Sequence, residues 1–159
     1  MENLEFIQIL HDSKKYFQYR DRTSEEARSF LISKGYSEEK VEEFITEAIE
    51  NTLINNSRVI ENSVDLSLHS KKRGPLKILN ELIARGIPEN ELIEKIDELP
   101  EDVIRENCKA LIQKKIKTKS PSKKDIFNCF QMLIQKGYEE EMIMSVFREE
   151  KISLPTEEE

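Results

Sequence analysis

Leu31-Ile32-Ser33-Lys34-Gly35-Tyr36 recurs as Leu82-Ile83-Ala84-Arg85-Gly86-Ile87 and again as Leu133-Ile134-Gln135-Lys136-Gly137-Tyr138. The glycines lie 51 residues apart both times, and three copies at one spacing mark a repeat architecture. The stretch reads as the end of a helix. Glycine at C′ takes the left-handed conformation without a Cβ penalty. Lys34, Arg85 and Lys136 sit where the last carbonyls carry partial negative charge. With Gly35 at C′, Leu31 and Tyr36 are the C3 and C″ residues that touch in a Schellman motif. Leu82 with Ile87 and Leu133 with Tyr138 are the equivalent pairs.

Few residues interrupt helices here. The 159 residues include only four glycines and five prolines, against 36% charged and 37% hydrophobic residues. That mix suits a helix-rich chain with much exposed surface. No apolar run is long enough to cross a membrane, and the N-terminus lacks the pattern of a secretory signal. Cys108 and Cys129 have neither metal nor disulfide spacing, so a reduced, cytoplasmic setting is the default expectation.

Taken in order, the first helix is expected over 2–18, with Phe6, Ile9, Leu10, Ser13 and Phe17 on one face. Ser24 is expected to cap the second and Ser37 the third. Asn55 or Asn56 would cap a fourth, which carries Ile60, Val64 and Leu68. Pro75 opens a fifth bearing Ile78, Leu79, Leu82 and Ile83. Pro88 starts a sixth with Leu92, Ile93 and Ile96, and Pro100 precedes a seventh with Ile104, Cys108, Leu111 and Ile112. Ser122 caps an eighth with Ile126, Cys129, Phe130, Leu133 and Ile134. A ninth carries Met142, Ile143, Val146 and Phe147. Nine helices over three periods predict an all-α fold of three tandem three-helix repeats in an elongated, curved array. The expected divisions are 1–54, 55–105 and 106–154, followed by an acidic tail over 155–159.

The net charge of −7 is unevenly spread. Residues 1–70 carry 8 basic and 14 acidic side chains, 71–124 carry 14 and 9, and 125–159 carry 3 and 9. Attraction to a polyanion would therefore be local to the middle. Lys71, Lys72 and Arg73 form one basic cluster, readable as a phosphate or acidic-partner contact or as a solvated turn. The stretch 109–124 holds seven lysines and no acid. Within it Lys114, Lys115, Lys117, Lys119, Lys123 and Lys124 suit salt-sensitive phosphate contact, or simply a solubilising helix end. Arg20 and Arg22 are a third candidate. Aromatic residues are scarce in this stretch until Phe127, which argues against a base-stacking platform.

Tyr36 and Tyr138 read as local packing at C″, Met132, Met142 and Met144 as core filler, and the cysteines as buried, inert thiols. His11 and His69 lack metal-site patterning, and nucleotide-binding loops are absent. No metal, cofactor or catalytic group is expected, and the chain reads as a non-enzyme.

Three stretches resemble the RecX family of bacterial RecA modulators. Arg20-Asp21-Arg22-Thr23-Ser24 is similar to its basic segment and serine cap. Gly74-Pro75-Leu76-Lys77-Ile78-Leu79-Asn80-Glu81-Leu82-Ile83-Ala84-Arg85-Gly86-Ile87 resembles its central signature, and 133–138 its last repeat. The family's Asp-Asp pair is replaced here by Asn55-Asn56, and its Phe-Ala pair by Val59-Ile60. The resemblance covers most of the chain. It implies a monomer whose partner is the RecA filament, with the DNA phosphate backbone inside it as a further contact and no membrane. It also implies inhibition of ATP hydrolysis and strand exchange. The rival expectation is a helical-repeat adaptor that binds another protein and never touches nucleic acid.

Overall fold

The computed structural model describes residues 2–153, so the expected acidic tail lies outside the described residues. All regular elements among them are helical, making the chain all-α. In order they are α1 (Asn3–Asp12), α2 (Lys14–Tyr19), α3 (Ser24–Ser33), α4 (Glu38–Glu50), α5 (Asn56–Leu66), α6 (Pro75–Ala84), α7 (Glu89–Asp97), α8 (Glu101–Lys115), α9 (Lys123–Gln135) and α10 (Glu140–Glu149). A π-helical turn, Ser67–Lys71, follows α5 directly.

The three repeated helix ends have the expected geometry. Gly35, Gly86 and Gly137 take φ of 97°, 89° and 94°. The amide of Tyr36 donates to the Leu31 carbonyl at 3.3 Å, Ile87 to Leu82 at 3.2 Å and Tyr138 to Leu133 at 3.1 Å. Leu31, Leu82 and Leu133 are fully buried, each contributing about 2 kcal/mol through the area it removes from water. The isoleucine after each leucine fares differently. Ile32, Ile83 and Ile134 remain 43%, 37% and 44% exposed, because successive residues point about 100° apart around a helix. Ile83 and Ile134 were expected on the core face, and so was Ile93, which is 51% exposed.

Among the described residues there are ten α-helices rather than nine, because the expected first helix breaks at Ser13. A straight helix would set the Cα atoms of Phe6 and Phe17 ~16 Å apart along its axis. Both rings instead reach Phe44, at centroid distances of 4.9 and 5.9 Å. The turn also lays Tyr16 flat on Phe30 at 3.8 Å. Cap positions agree in most places. Ser37 accepts from the Lys40 amide, Asn55 from Arg58 and Ser122 from Asp125. At α3 the cap is Thr23, one residue before the expected Ser24. Thr23 and Glu26 form a reciprocal capping box, in which the Glu26 side chain reaches back to the cap amide.

The chain divides into two compact units, Met1–Asn62 with Leu82–Pro88, and Ser63–Glu81 with Glu89–Glu159. In the first, α4 packs on α1 and α3 around Ile9, Ala27, Leu31, Val41, Phe44, Ile45, Ala48 and Ile54. In the second, α8 packs on α9, α10 and the π turn. Its buried side chains include Ile104, Cys108, Ile112, Cys129, Leu133, Tyr138, Ile143 and Phe147.

One contact occurs twice, 51 residues apart. In the first unit the Thr23 hydroxyl donates to the Arg85 carbonyl at 2.6 Å. In the second, the Gly74 amide donates to the Lys136 carbonyl at 2.7 Å. Each joins the start of one repeated helix to the end of the next.

Candidate interaction surface

The three basic groups singled out in the sequence meet different fates. Arg20 and Arg22 both make contacts within the first unit, and Arg20 remains exposed. Arg22 lies over the Tyr16 ring at 3.9 Å and donates from Nε to the Tyr16 carbonyl. Arg20 pairs with Glu26 at 3.2 Å. The same carboxylate takes a two-pronged hydrogen bond from Arg85, at 3.0 and 3.3 Å. Burial pushes the Glu26 carboxyl up, but the hydrogen bonds of Arg85 and the Thr23 amide, with the charges of Arg85 and Arg20, hold it below its ordinary value. Sequence reading gave Arg85 only a helix-end role. Its partner lies 59 positions away, beyond the reach of any local pattern.

Lys71, Lys72 and Arg73 sit on a fixed turn. Lys72 is left-handed, with φ of 52°, and its carbonyl accepts from the phenol of buried Tyr138 at 2.7 Å. The Arg73 amide donates to the Ser67 carbonyl, and its guanidinium pairs with Glu81 at 2.7 Å. Lys71 and Lys72 remain exposed, while Arg73 is half-buried. Tyr138 closes its helix end through its amide, but its buried side chain reaches Lys72, 66 positions away, instead of packing only locally.

Lys114, Lys115, Lys117, Lys119, Lys123 and Lys124 are all exposed. They run from the last turn of α8 through the 116–122 linker to the first turn of α9. Lys114 and Lys115 suit the negative end of α8. Lys123 and Lys124 stand at the positive end of α9, where a cation costs roughly 0.3–1 kcal/mol. Asp125 and the Ser122 capping box offset part of this. Helix stability therefore accounts for the first pair and not for the second. Phe127 follows them and is 55% exposed, an aromatic ring beside the lysines. Its placement off the Ile126–Cys129–Leu133 stripe is the sequence signal that points it outward.

Among the described residues no cluster of His, Cys, Asp or Glu could hold a metal ion, and no helix is long and apolar enough to cross a membrane.

No protein-family model matches the chain. Individual proteins do. It is 26% identical over 136 residues to the Regulatory protein RecX of Oceanobacillus iheyensis, covering 84% of this chain and 50% of that one. Against the Regulatory protein RecX of Clostridium perfringens it is 24% identical over 148 residues, covering 91% and 69%. This chain is similar to RecX proteins along most of its length. A crystal structure of RecX from Lactobacillus salivarius shares the fold, with a TM-score of 0.81, 22% identity, and coverage of 91% of this chain and 96% of the other. A second RecX structure gives a TM-score of 0.77 at 21% identity, covering 92% and 73%.

The chain spans about half the length of the Oceanobacillus and Bacillus RecX proteins it matches. Where the resemblance led to the expectation of an acidic pair before the helix, this chain uses both asparagines. Asn55 caps α5, and Asn56 accepts from the Ser24 amide at 3.0 Å. Capping survives the loss of charge, because an amide oxygen accepts from a backbone N–H as a carboxylate does.

Proposed function

We propose that this chain is a non-enzymatic, cytoplasmic regulator of the recombinase RecA. As a monomer it binds the RecA–DNA filament, lowers its ATPase and strand-exchange activities, and so modulates DNA repair and recombination. The observation that carries this reading is the relationship to regulatory RecX proteins along most of the chain. The exposed lysines of 114–124 supply the physical means, since phosphate neutralisation by lysine is strong, salt-sensitive and indifferent to sequence. A three-repeat organisation over 1–54, 55–105 and 106–154 belongs to the same proposal, supported by the recurring helix end and the recurring contact.

The test is DNA-dependent ATP hydrolysis by the RecA of the source organism, titrated with this protein. Inhibition below one copy per RecA monomer supports filament disruption. Reversing Lys114, Lys115, Lys117 and Lys119 to glutamate should weaken it and flatten its salt dependence. No inhibition by folded protein in excess overturns the reading.

The second reading is an adaptor that binds protein alone. The net charge of −7 favours it. Absence of binding to single-stranded DNA, with or without RecA, would select it.

A further inference from the structure

The second unit contains an open groove of about 910 Å³, which none of the basic residues above lines. Its floor is apolar, formed by Pro75, Ile96, Leu99, Ile104, Met142 and Met144. Ile104 is buried, and the other five are half-buried. Met142 and Met144 thus line a surface groove instead of filling the core. An unbranched, polarisable thioether adapts to different partners better than a branched side chain does.

The rim is acidic. Asp97, Glu101, Glu139, Glu140 and Glu141 face two guanidiniums, Arg105 and Arg148. Arg105 is already engaged by Glu149 at 2.7 Å, Ser145 at 2.9 Å and Glu101 at 3.4 Å. Among the described residues Asp97, Glu139, Glu140 and Glu141 make no ion pair.

Local helix energetics disfavour one of these acids. Asp97 is the last residue of α7, where a carboxylate meets the negative end of the helix and is disfavoured. Glu139 occupies the N-cap of α10, where the helix dipole favours a carboxylate, and its side chain makes no capping hydrogen bond. The carboxylates form no metal-binding cluster among the described residues. A diffuse ring of negative charge around an apolar floor suits a larger cation carried on an apolar body.

We propose that this groove docks a basic amphipathic segment of a partner protein, its leucine- or methionine-type side chains on the floor and its lysines or arginines against the rim. Charge complementarity selects this occupant: nucleic acid and acidic peptides are repelled by the same carboxylates. The inference stands on the second unit's geometry and does not depend on the recombinase reading.

The probe is an amphipathic peptide of lysine and leucine, titrated into the full chain carrying 13C-methyl methionine. The Met142 and Met144 methyl signals should shift while Met132, outside the groove, stays in place. A glutamate–leucine peptide and oligo-dT should shift neither. The Asp97→Asn/Glu139→Gln/Glu140→Gln variant should bind the basic peptide about tenfold more weakly, a rise of one unit in log Kd. The Glu38→Gln/Glu39→Gln/Glu50→Gln control, with the same change in net charge but on α4, should bind like the parent. Met144→Gln, which leaves the rim charges in place, should also weaken binding.

Equal losses in the two charge variants would reduce the effect to net charge and overturn the proposal. So would unmoved Met142 and Met144 signals at saturation. Signals that shift with protein concentration alone would assign the groove to a second copy of this chain and overturn it too.

Discussion

Gly74 lies with its backbone against that of Gly137. A Cβ on Gly74 would come within 2.3 Å of the Gly137 carbonyl carbon and 2.4 Å of its oxygen. Both neighbours are main chain and cannot swing away. Gly74→Ala should therefore cost about 2 kcal/mol or more through overpacking, read as a lower urea midpoint at unchanged m. Gly35→Ala is the comparison. Nothing lies within 4 Å of a Cβ there, so only the left-handed backbone is penalised, by about 1–2 kcal/mol.

Lys124 gives a test in which stability and function move in opposite directions. Lys124→Glu places a carboxylate in the first turn of α9 and should stabilise the protein by about 0.5 kcal/mol. The same change should weaken inhibition of RecA. Paired urea unfolding and ATPase titrations check it, and a loss of both together would mean that Lys124 supports the fold.

Acid should loosen the first unit through Glu26. Its carboxyl is held below the ordinary value of 4.5 in the folded chain, so the folded state binds fewer protons than the unfolded one around that pH. The Glu26 contribution is complete above about pH 4.5 and is lost as pH falls through the lower folded-state value. Glu26→Gln should cost about 2 kcal/mol at pH 7 by replacing charge-assisted hydrogen bonds. Its stability should fall less steeply than the parent's below pH 4.5, measured by urea titration at a series of pH values.

The cysteines should be silent in the native state. Burial pushes the Cys108 thiol up to about 12 and the Cys129 thiol up to about 11, leaving little thiolate, the reactive form, at pH 8. Ellman's reagent should react with both only after denaturant is added. Rapid native modification would show that the α8–α9 packing opens readily.

The features legible in the sequence are those whose chemistry is local. Leu133, Gly137 and Tyr138 announce a helix end because the three residues make that end by themselves. Ser122 and Asp125 do the same for a helix start. The cap of α3 was legible in principle: counting three residues from Thr23 reaches Glu26, a capping box, whereas counting from Ser24 reaches Ala27. The break at Ser13 was not, because it answers to Phe44, a ring on another helix. Arg85 was hidden for the same reason, and so was the groove, which gathers side chains from α6, α7, α8 and α10. The lysines of 114–124 were visible as a run, and the Ser122 cap already set Lys123 and Lys124 in a first turn that disfavours them.

The π turn at Ser67–Lys71 holds one residue more per turn than the α-helix it extends. A chain that lost one residue there could tighten into ordinary α-helix and leave Lys72 and the Gly74 contact where they are. The same deletion inside α8 would rotate Cys108 and Ile112 about 100° relative to Ile104. A single-residue deletion is therefore better absorbed at this turn than inside α8, provided that Ser67 and Leu68, buried against α8, keep their places.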